Sequence, residues 1–355
     1  MNNIVRNLQV PTGNICVMQG DKGYLEFISV GDYGKEKNLK ADFLGLTNEI
    51  NGVPDGKTMP LNKKWVITIS TQYGCSMACK FCDVPTVGVG GNATYYDMIN
   101  QIKLGLSLHP EITGTARLNI HFARMGEPTF NGNVLDVAAC LHRNIYDMWE
   151  GSRTVHPVVS TMMPKNNKHL LRFLKIWTND IKNNLYQGEA GLQISINSTN
   201  EMQRYEMFTG GALPLNDISD ICRMLPNPIG RKYALNFALA DDYEVDALWL
   251  QRNFSPENFM VKITPMHNTT SCQSNGIVTT GGYDQFSSYQ QAEASLKAAG
   301  FDVIVFVPSY EEDLGLITYG NAILSGSLPK VSYKEMPVEL SPQYDMECGC
   351  SSCET

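Results

Sequence analysis

The stretch that decides the fold is Cys75-Ser76-Met77-Ala78-Cys79-Lys80-Phe81-Cys82, in which three cysteines follow the spacing Cys-x3-Cys-x2-Cys. It comes after the apolar run Trp65 to Ser70 and directly after Gly74, so it is typical of a loop that leaves the end of a strand. Three thiolates this close in sequence are able to face one metal centre. Iron–sulfur clusters favour thiolate ligands, and three protein ligands on a [4Fe–4S] cluster leave one iron open for a small molecule.

A zinc site and three unrelated reduced thiols are the alternative interpretations of Cys75, Cys79 and Cys82. Zinc usually takes four ligands and pairs them as Cys-x2-4-Cys with a second pair elsewhere in the chain. This loop supplies three cysteines in one short run, so the spacing favours the cluster over zinc.

The pattern Cys-x3-Cys-x-aromatic-Cys after a first strand resembles the radical S-adenosylmethionine (SAM) superfamily. The resemblance implies that Cys75, Cys79 and Cys82 bind a [4Fe–4S] cluster whose open iron holds the amino and carboxylate groups of SAM. It also implies one-electron cleavage of SAM to methionine and a 5′-deoxyadenosyl radical. Phe81 matches the superfamily's aromatic residue that lies near the adenine.

A second motif, Arg124-Met125-Gly126-Glu127-Pro128, follows the predicted strand Leu118–Ala123. Glycine lets backbone approach a ligand closely, and a carboxylate at a strand end can accept from an ammonium group. The motif resembles the superfamily's Gly-Gly-Glu-like motif, which implies that Gly126 and Glu127 hold the SAM amino group. Its Met-Gly-Glu-Pro form resembles one branch, the RlmN/Cfr family of adenine-C2 and -C8 RNA methyltransferases. An ordinary loop acid is the alternative for Glu127.

Weaker matches to the same branch extend over roughly residues 14–325. They imply further SAM contacts and one base. The implied SAM contacts are Ser160, Ser195, Asn197 and one of His267 and Asn268. The implied base is Glu26. Asn197 stands where the branch has His. A plain loop residue is the alternative for His267, and a solvated strand residue is the alternative for Glu26.

Two departures separate this chain from the branch. Its methyltransferases use two further cysteines, and the corresponding positions here are Thr68 and Tyr319. Neither side chain can act as a methyl-carrying thiolate. The resemblance therefore covers the SAM-cleaving core but not the two cysteines of the family's methyl transfer. In the hydrogen-abstraction hypothesis, Tyr319 or a terminal thiol would return or relay a hydrogen atom. The branch's helical RNA-binding N-terminal domain has no counterpart in the N-terminal residues.

The C-terminal stretch Cys348-Gly349-Cys350-Ser351-Ser352-Cys353 forms a second group of thiols. An auxiliary iron–sulfur or zinc site is one interpretation, because one short loop supplies three ligands. A redox arm that reaches the main site through Cys350 or Cys353 is another. A disordered tail with exposed thiols is the third.

Composition narrows the classes of partner. The chain has 28 Lys and Arg against 36 Asp and Glu, with a formal net charge of −8. Nucleic-acid binders usually carry a basic face, so we expect a substrate other than folded ribosomal RNA. No apolar run approaches the roughly 18 residues of a membrane span, and the first residues do not resemble a secretory signal. Ten cysteines in such a chain indicate reduced thiols and a cytoplasmic location.

From Trp65 onward short β-rich runs alternate with longer segments of helical period. This predicts parallel strands with right-handed crossovers. The fold class expected is α/β, a partial (β/α)6 TIM-like barrel of the radical SAM type, with its site at the carboxyl ends of the strands. The predicted strands are Trp65–Thr71, Leu118–Ala123, Pro157–Thr161, Leu192–Asn197, Tyr233–Ala240, Phe259–Thr264 and Val303–Val307.

We predict three segments. Residues 1–63 form a small β-hairpin extension (Asn14 to Met18, Gly23 to Val30) and a linker, residues 64–325 the barrel, and residues 326–355 an extended tail.

The functional hypothesis is a radical SAM enzyme that abstracts hydrogen from an unidentified substrate. An electron donor such as flavodoxin or ferredoxin would reduce its cluster. The alternatives are an RNA or nucleotide adenine methyltransferase that uses a tail cysteine, and a non-enzymatic iron–sulfur or zinc protein that binds a partner.

Overall fold

The strands of the computed structural model form one 11-stranded sheet and two small two-stranded sheets. The structure describes residues 3–11, 13–31, 49–50, 53–54, 61–148, 155–279, 287–305, 320 and 322–338. In chain order the strands are β1 (Ile4–Val10), β2 (Gly13–Gly20), β3 (Gly23–Gly31), β4 (Glu49–Ile50), β5 (Val53–Pro54), β6 (Trp65–Ile69), β7 (Gln72–Gly74), β8 (Val89–Asn92), β9 (Leu118–Phe122), β10 (Val155–Thr161), β11 (Gly191–Ser195), β12 (Tyr233–Leu239), β13 (Phe259–Pro265), β14 (Asp302–Val305) and β15 (Lys334–Glu335).

Helices lie between the parallel strands. The α-helices are α1 (Tyr95–Ser107), α2 (Asn133–Met148), α3 (Leu170–Lys175), α4 (Glu201–Met207), α5 (Leu215–Arg223), α6 (Ala247–Asn253), α7 (Thr270–Ser274) and α8 (Ser287–Ala298), and a π-helical segment, Ile176–Leu185, continues α3. Short 3-10 helices cover Val84–Val87, Pro128–Phe130 and Ile323–Ser325. None of the helices in the described part of the chain has the length and apolar character that a bilayer-spanning helix needs.

The parallel part of the large sheet confirms the predicted α/β fold. Strands β6, β9, β10, β11, β12, β13 and β14 are neighbours in chain order and parallel. Every residue of β6 is buried, as expected for a strand covered on both faces. The strand order is linear, so the sheet stays open, which is the partial barrel expected from the alternation of strands and helices.

Helix α1 lies close against the outer face of this sheet. A Cβ atom at Gly105 would come within 3.1 Å of the Ile67 side chain on β6, so glycine permits this short distance. The helix begins with a capping box in which the Thr94 side chain accepts from the Asp97 backbone and Asp97 accepts from the Thr94 backbone.

The N-terminal strands continue the same sheet. The predicted hairpin is present as β2 and β3, and an additional strand, β1, lies antiparallel beside β2. Strand β3 pairs antiparallel with β6, and β15 pairs with β1. The boundaries near residues 63 and 325 stay predictions, because strands on both sides of each boundary share one sheet.

Candidate active site

The loop that carries the three cysteines leaves the carboxyl end of β6, as the sequence predicts. Cys75, Cys79 and Cys82 are free of disulfides and partly exposed. All three line one cavity of about 560 Å³. The strand ends at Ile69, and the short strand β7 leads directly into the loop. The structure thus brings the three sulfurs to one cavity at the end of the sheet where barrel enzymes place their chemistry.

Neighbouring elements hold the cysteine loop in place. The Lys80 N–H donates to the Met207 carbonyl at the end of α4, with 2.9 Å between N and O. The Phe81 carbonyl accepts from the Thr269 hydroxyl just before α7, at 2.7 Å. Because distant parts of the chain bind its backbone, the loop is preorganised before any ligand arrives.

The environment of the thiols favours a bound cationic group. Burial raises the pKa of Cys75 to about 11 and that of Cys82 to about 12, and burial also raises the pKa of Cys79 well above its usual range. A coordinated metal reverses this preference, because a bound cation deprotonates its thiol ligands. Cys75, Cys79 and Cys82 therefore suit a cationic group whose binding releases the protons of the three thiols.

The arrangement also bears on the choice between zinc and a cluster. Within the described ranges, no three His, Cys, Asp or Glu side chains converge tightly enough to hold a single metal ion. Zinc requires convergence of this kind, with each sulfur at about 2.3 Å from one ion. In a [4Fe–4S] cluster the cysteines bind different irons, so their sulfurs stay further apart. Three cysteines that line one cavity are compatible with such a cluster.

Gly126 allows a tight approach beside the cysteine loop. Its φ is +96°, in the left-handed region, and a Cβ atom there would lie 2.6 Å from the Gln72 side chain. The Gln72 side-chain oxygen accepts from the Glu127 N–H at 2.9 Å. A side chain at position 126 would displace Gln72 and so move Glu127, which explains why this turn needs glycine.

Glu127 is a buried carboxylate on the cavity wall, with 4% of its surface exposed. One oxygen accepts from the Thr129 N–H at 3.1 Å and from its hydroxyl at 2.7 Å, and the other accepts from the Met162 N–H at 3.0 Å. Burial raises the pKa of Glu127, although these hydrogen bonds act in the opposite direction. A buried carboxylate of this kind is stabilised by a cationic partner.

The other predicted SAM contacts divide into two groups. One group faces the cavity, namely Phe81, Ser160, Ser195, Asn197 and His267. Asn268 is exposed and is absent from the cavity lining. Of the two candidates at the end of β13, the structure thus places His267, and not Asn268, at the cavity.

Asn197 has a structural reason for its conformation. Its φ is +62°, and its side-chain oxygen accepts from the Ala238 N–H at 3.0 Å. Asparagine tolerates the left-handed region better than most residues. The amide joins the ends of β11 and β12 at the edge of the cavity.

Glu26 lies behind the cavity wall and does not line it. Its carboxylate is fully buried in an ion pair with Arg124, and its second oxygen accepts from the Leu324 N–H at 3.1 Å. The role of Glu26 as a base stays a prediction, and its position favours a structural role. Tyr319, Cys348, Cys350 and Cys353 lie outside the described residues.

Sequence reasoning gave no role to several residues that the structure brings to the site. Arg124 lines the cavity and binds Glu26, while Gln72 and Met162 orient Glu127. Arg124 stands at the start of the quoted motif Arg124–Pro128, and Gln72 lies three residues before Cys75. No sequence signal marks the backbone N–H of Met162, because any residue supplies one.

Comparisons with known proteins find similar sequences and a similar fold. No protein-family model matches the chain. Two curated relatives, from Synechococcus sp. strains CC9311 and CC9902, are each named probable dual-specificity RNA methyltransferase RlmN. They are 27% identical over 222 residues and 28% identical over 193 residues, which is 60% and 52% of this chain. The chain spans 59% and 50% of the length of these relatives.

A solved structure supports the same assignment of fold. A radical SAM methyltransferase from Sphaerobacter thermophilus superposes with a TM-score of 0.59 at 18% identity. The match covers 86% of this chain and 77% of that protein. The predicted resemblance to the radical SAM superfamily, near its RlmN/Cfr branch, is confirmed by these relatives and this fold.

Proposed function

We propose that this chain, a relative of the radical SAM superfamily near its RlmN/Cfr branch, cleaves SAM reductively and abstracts hydrogen from a bound substrate. The observation that carries the proposal is the placement of three free cysteines on one cavity with Glu127, at the carboxyl end of β6. This combination supplies ligands for a [4Fe–4S] cluster and a carboxylate for the SAM amino group. A radical SAM enzyme uses both features, the three cluster ligands and the carboxylate.

Each residue has a role in the proposal. Cys75, Cys79 and Cys82 would hold the [4Fe–4S] cluster, which when bound supplies the electron that cleaves SAM. Glu127 would accept from the SAM ammonium group, because its carboxylate is fixed by backbone and hydroxyl donors. Phe81 would pack against the adenine, since its ring lines the cavity and is itself held edge-on by Phe208 at 5.9 Å between ring centroids.

The proposed reaction needs an electron donor, and it leaves room for an auxiliary metal centre. A reductant such as flavodoxin or ferredoxin would supply the electron, and the free thiols suit a reducing cytoplasm. A second cluster or zinc site at Cys348, Cys350 and Cys353 remains part of the proposal as an auxiliary centre. Tyr319 or a terminal thiol would return the hydrogen atom to the product radical.

The test is anaerobic reconstitution with iron and sulfide, followed by a SAM-cleavage assay with dithionite. Wild type should be brown and should form 5′-deoxyadenosine. Cys79→Ala should lose both properties, because two thiolates hold iron only weakly. Cys140→Ala, on α2 and away from the cavity lining, is the matched control and should keep both. Full iron content and 5′-deoxyadenosine formation in Cys79→Ala would show that the ligand assignment is wrong.

A second candidate function is methyl transfer, and the names of the RNA methyltransferase relatives favour it. At Thr68, where the branch has a cysteine, this chain offers no thiol, although Thr68 does line the cavity. Cys350 or Cys353 would then have to carry the methyl group to an RNA or nucleotide adenine. Mass spectrometry of the purified protein decides between the two, since a methylated cysteine would support methyl transfer and its absence would favour hydrogen abstraction alone.

A further inference from the structure

We propose that the buried positive charge of Arg204 makes a [4Fe–4S] cluster in the cysteine loop easier to reduce. This inference rests on the proposed function, because it concerns the cluster that Cys75, Cys79 and Cys82 would bind. It starts from the Arg204 side chain, to which the assignments of cluster ligands and SAM contacts give no role.

Arg204 is a buried cation that is only partly hydrogen-bonded. It lies in α4, and 1% of its surface is exposed. Its Nη1 donates to the Ser195 carbonyl at 2.8 Å and to the Ile196 carbonyl at 2.6 Å, where β11 ends. Within the described part of the chain, its Nε and Nη2 have no hydrogen-bond partner. A buried charge without a counter-charge destabilises a protein, so an anionic group nearby would stabilise this one.

Two anionic groups act on the Arg204 charge. Burial lowers the pKa of Arg204 to about 10, whereas Glu201 and Cys79 raise it. The guanidinium therefore keeps its charge at neutral pH. Glu201 is exposed, and its carboxylate accepts from the Leu215 N–H at 2.9 Å, so solvent screens its charge. Cys79 is one of the three proposed cluster ligands, which places the cysteine loop within the field of Arg204.

Phe208 connects Arg204 to the cysteine loop. The guanidinium carbon lies 4.9 Å from the centroid of the Phe208 ring, and a ring face attracts a cation at this distance. Phe208 also packs edge-on against Phe81, and it lines the cavity together with Cys79. The Phe208 N–H donates to the Arg204 carbonyl at 3.0 Å, so the two residues are one helical turn apart and share a face.

The end of α4 also binds the cysteine loop through its backbone. The Lys80 N–H donates to the Met207 carbonyl, and the Thr209 hydroxyl donates to the Ala78 carbonyl at 3.2 Å. Ala78 and Lys80 flank Cys79 in the sequence. The helix that carries the buried charge therefore holds Cys79 as well, which keeps the separation of the charge and this ligand constant.

The surroundings of Phe208 and the cysteine loop are apolar. Phe208 belongs to a buried cluster that includes Met77, Met162, Met207 and Met266, and Cys79 and Phe81 pack against this cluster. A charge in such a medium acts more strongly than one in water, because the effective dielectric constant is low. Arg204 itself does not line the cavity. It therefore acts through its charge and is not a catalytic residue that contacts SAM or substrate.

A positive charge in this position favours reduction. Three thiolates make the bound cluster anionic, and the single electron that SAM cleavage requires adds negative charge without a proton. This electron leaves a donor of the flavodoxin or ferredoxin class, which is oxidised, and enters the cluster, which is reduced. Because net charge is one determinant of cluster potentials, the guanidinium of Arg204 raises the potential at which the electron enters.

The experiment measures the reduction potential of the cluster in the full reconstituted chain, by anaerobic dithionite titration with EPR of the reduced cluster. In Arg204→Gln the ratio of reduced to oxidised cluster at a fixed potential should be at least about tenfold lower, a shift of about 59 mV for one electron. Arg204→Lys keeps the charge and should stay nearer to wild type. Arg223→Gln removes an exposed arginine on α5 and should leave the potential unchanged.

Arg204→Lys also decides the matter if Arg204→Gln does not fold. A buried ammonium loses its proton more readily than a guanidinium does. The cluster potential of Arg204→Lys should therefore fall more steeply than that of wild type as the pH is raised. Identical potentials in these two proteins over the whole pH series would then overturn the inference.

The remaining outcomes separate charge from shape. An Arg204→Gln protein with an intact cluster and the wild-type potential would overturn the inference. So would an equal shift in Arg223→Gln, because the effect would then be general, or an equal shift in Arg204→Lys at the lowest pH of the series, because side-chain shape would then set the potential.

Iron content and SAM cleavage are measured on the same samples, so that the inference and the proposed function fail separately. A full cluster with an unshifted potential rejects this inference alone. A shifted potential in a protein that does not cleave SAM rejects the proposed function alone. Absence of a cluster in reconstituted wild type rejects both.

Discussion

At the scale of single residues, Glu127 shows how the site combines burial with polarity. Its oxygens accept from Thr129 and Met162, and its own N–H donates to Gln72. These contacts fix the carboxylate at the cavity wall, while burial raises its pKa. A cationic ligand group would favour the ionised form, so ligand binding and proton binding oppose each other at this residue.

This opposition predicts the pH dependence of SAM binding. As the pH falls through the raised pKa of Glu127, the carboxyl becomes protonated and the affinity for SAM should fall. The decrease should begin at a higher pH than for an ordinary carboxyl, whose pKa is 4.5. Equilibrium dialysis of labelled SAM against the reconstituted protein would measure it. Glu127→Gln should bind weakly and lose this step, whereas Glu257→Gln, at an exposed position, should follow wild type. An unchanged pH profile in Glu127→Gln would assign the step to another group.

At the scale of elements, local patterns predicted the barrel strands and their alternation with helices. Each parallel strand has an apolar run that marks it, and the cysteine loop and Gly126–Glu127 follow strand ends directly. Strand β1 escaped prediction because Arg6 and Asn7 interrupt its apolar residues, and its burial depends on β2 and β15. Helix α4 is short, and the sequence feature that marks its start is the N-cap residue Asn200. The Asn200 side chain accepts from two backbone N–H groups.

Local sequence patterns could not predict the contacts between elements that are distant in the chain. The Glu26–Arg124 pair joins β3 to the end of β9 across 98 residues of sequence. A motif shows that each residue is charged, but only the fold shows that the two meet in a buried position. The same reason applies to the cavity lining, because Lys64, Arg117 and Arg231 are far apart in sequence and reach one cavity only when the strands align.

The buried pair gives a prediction about stability. Glu26→Gln should lower the free energy of unfolding by about 3 kcal/mol, because the buried ion pair between Glu26 and Arg124 is lost. Glu335→Gln breaks the exposed pair with Arg6 and should cost about 0–1 kcal/mol. Chemical denaturation of both variants measures the difference. A Glu26→Gln protein of unchanged stability that has lost substrate turnover would instead support the predicted role of Glu26 as a base.

At the scale of the whole molecule, one continuous sheet links the terminal segments to the barrel. Strand β3 extends the parallel strands, and β15 extends the edge at β1. The cysteine loop depends on contacts with α4 and the residue before α7, all of which precede the C-terminal strand in the chain. The residues proposed to bind the cluster and SAM lie among the described residues, and in the proposal the C-terminal cysteines would serve a later step.

Deletion of residues 346–355 tests this separation. The Cys75 cluster and uncoupled SAM cleavage should survive, because the cysteine loop is held by Met207, Thr269 and Gly320. Turnover of substrate should fall if the terminal thiols act on the substrate radical. A loss of about four irons per chain would indicate a second [4Fe–4S] centre, and unchanged metal with lost turnover would indicate a redox arm. Unchanged iron, zinc and turnover would show that the tail has neither role, and loss of the Cys75 cluster itself would contradict the separation of the two ends of the molecule.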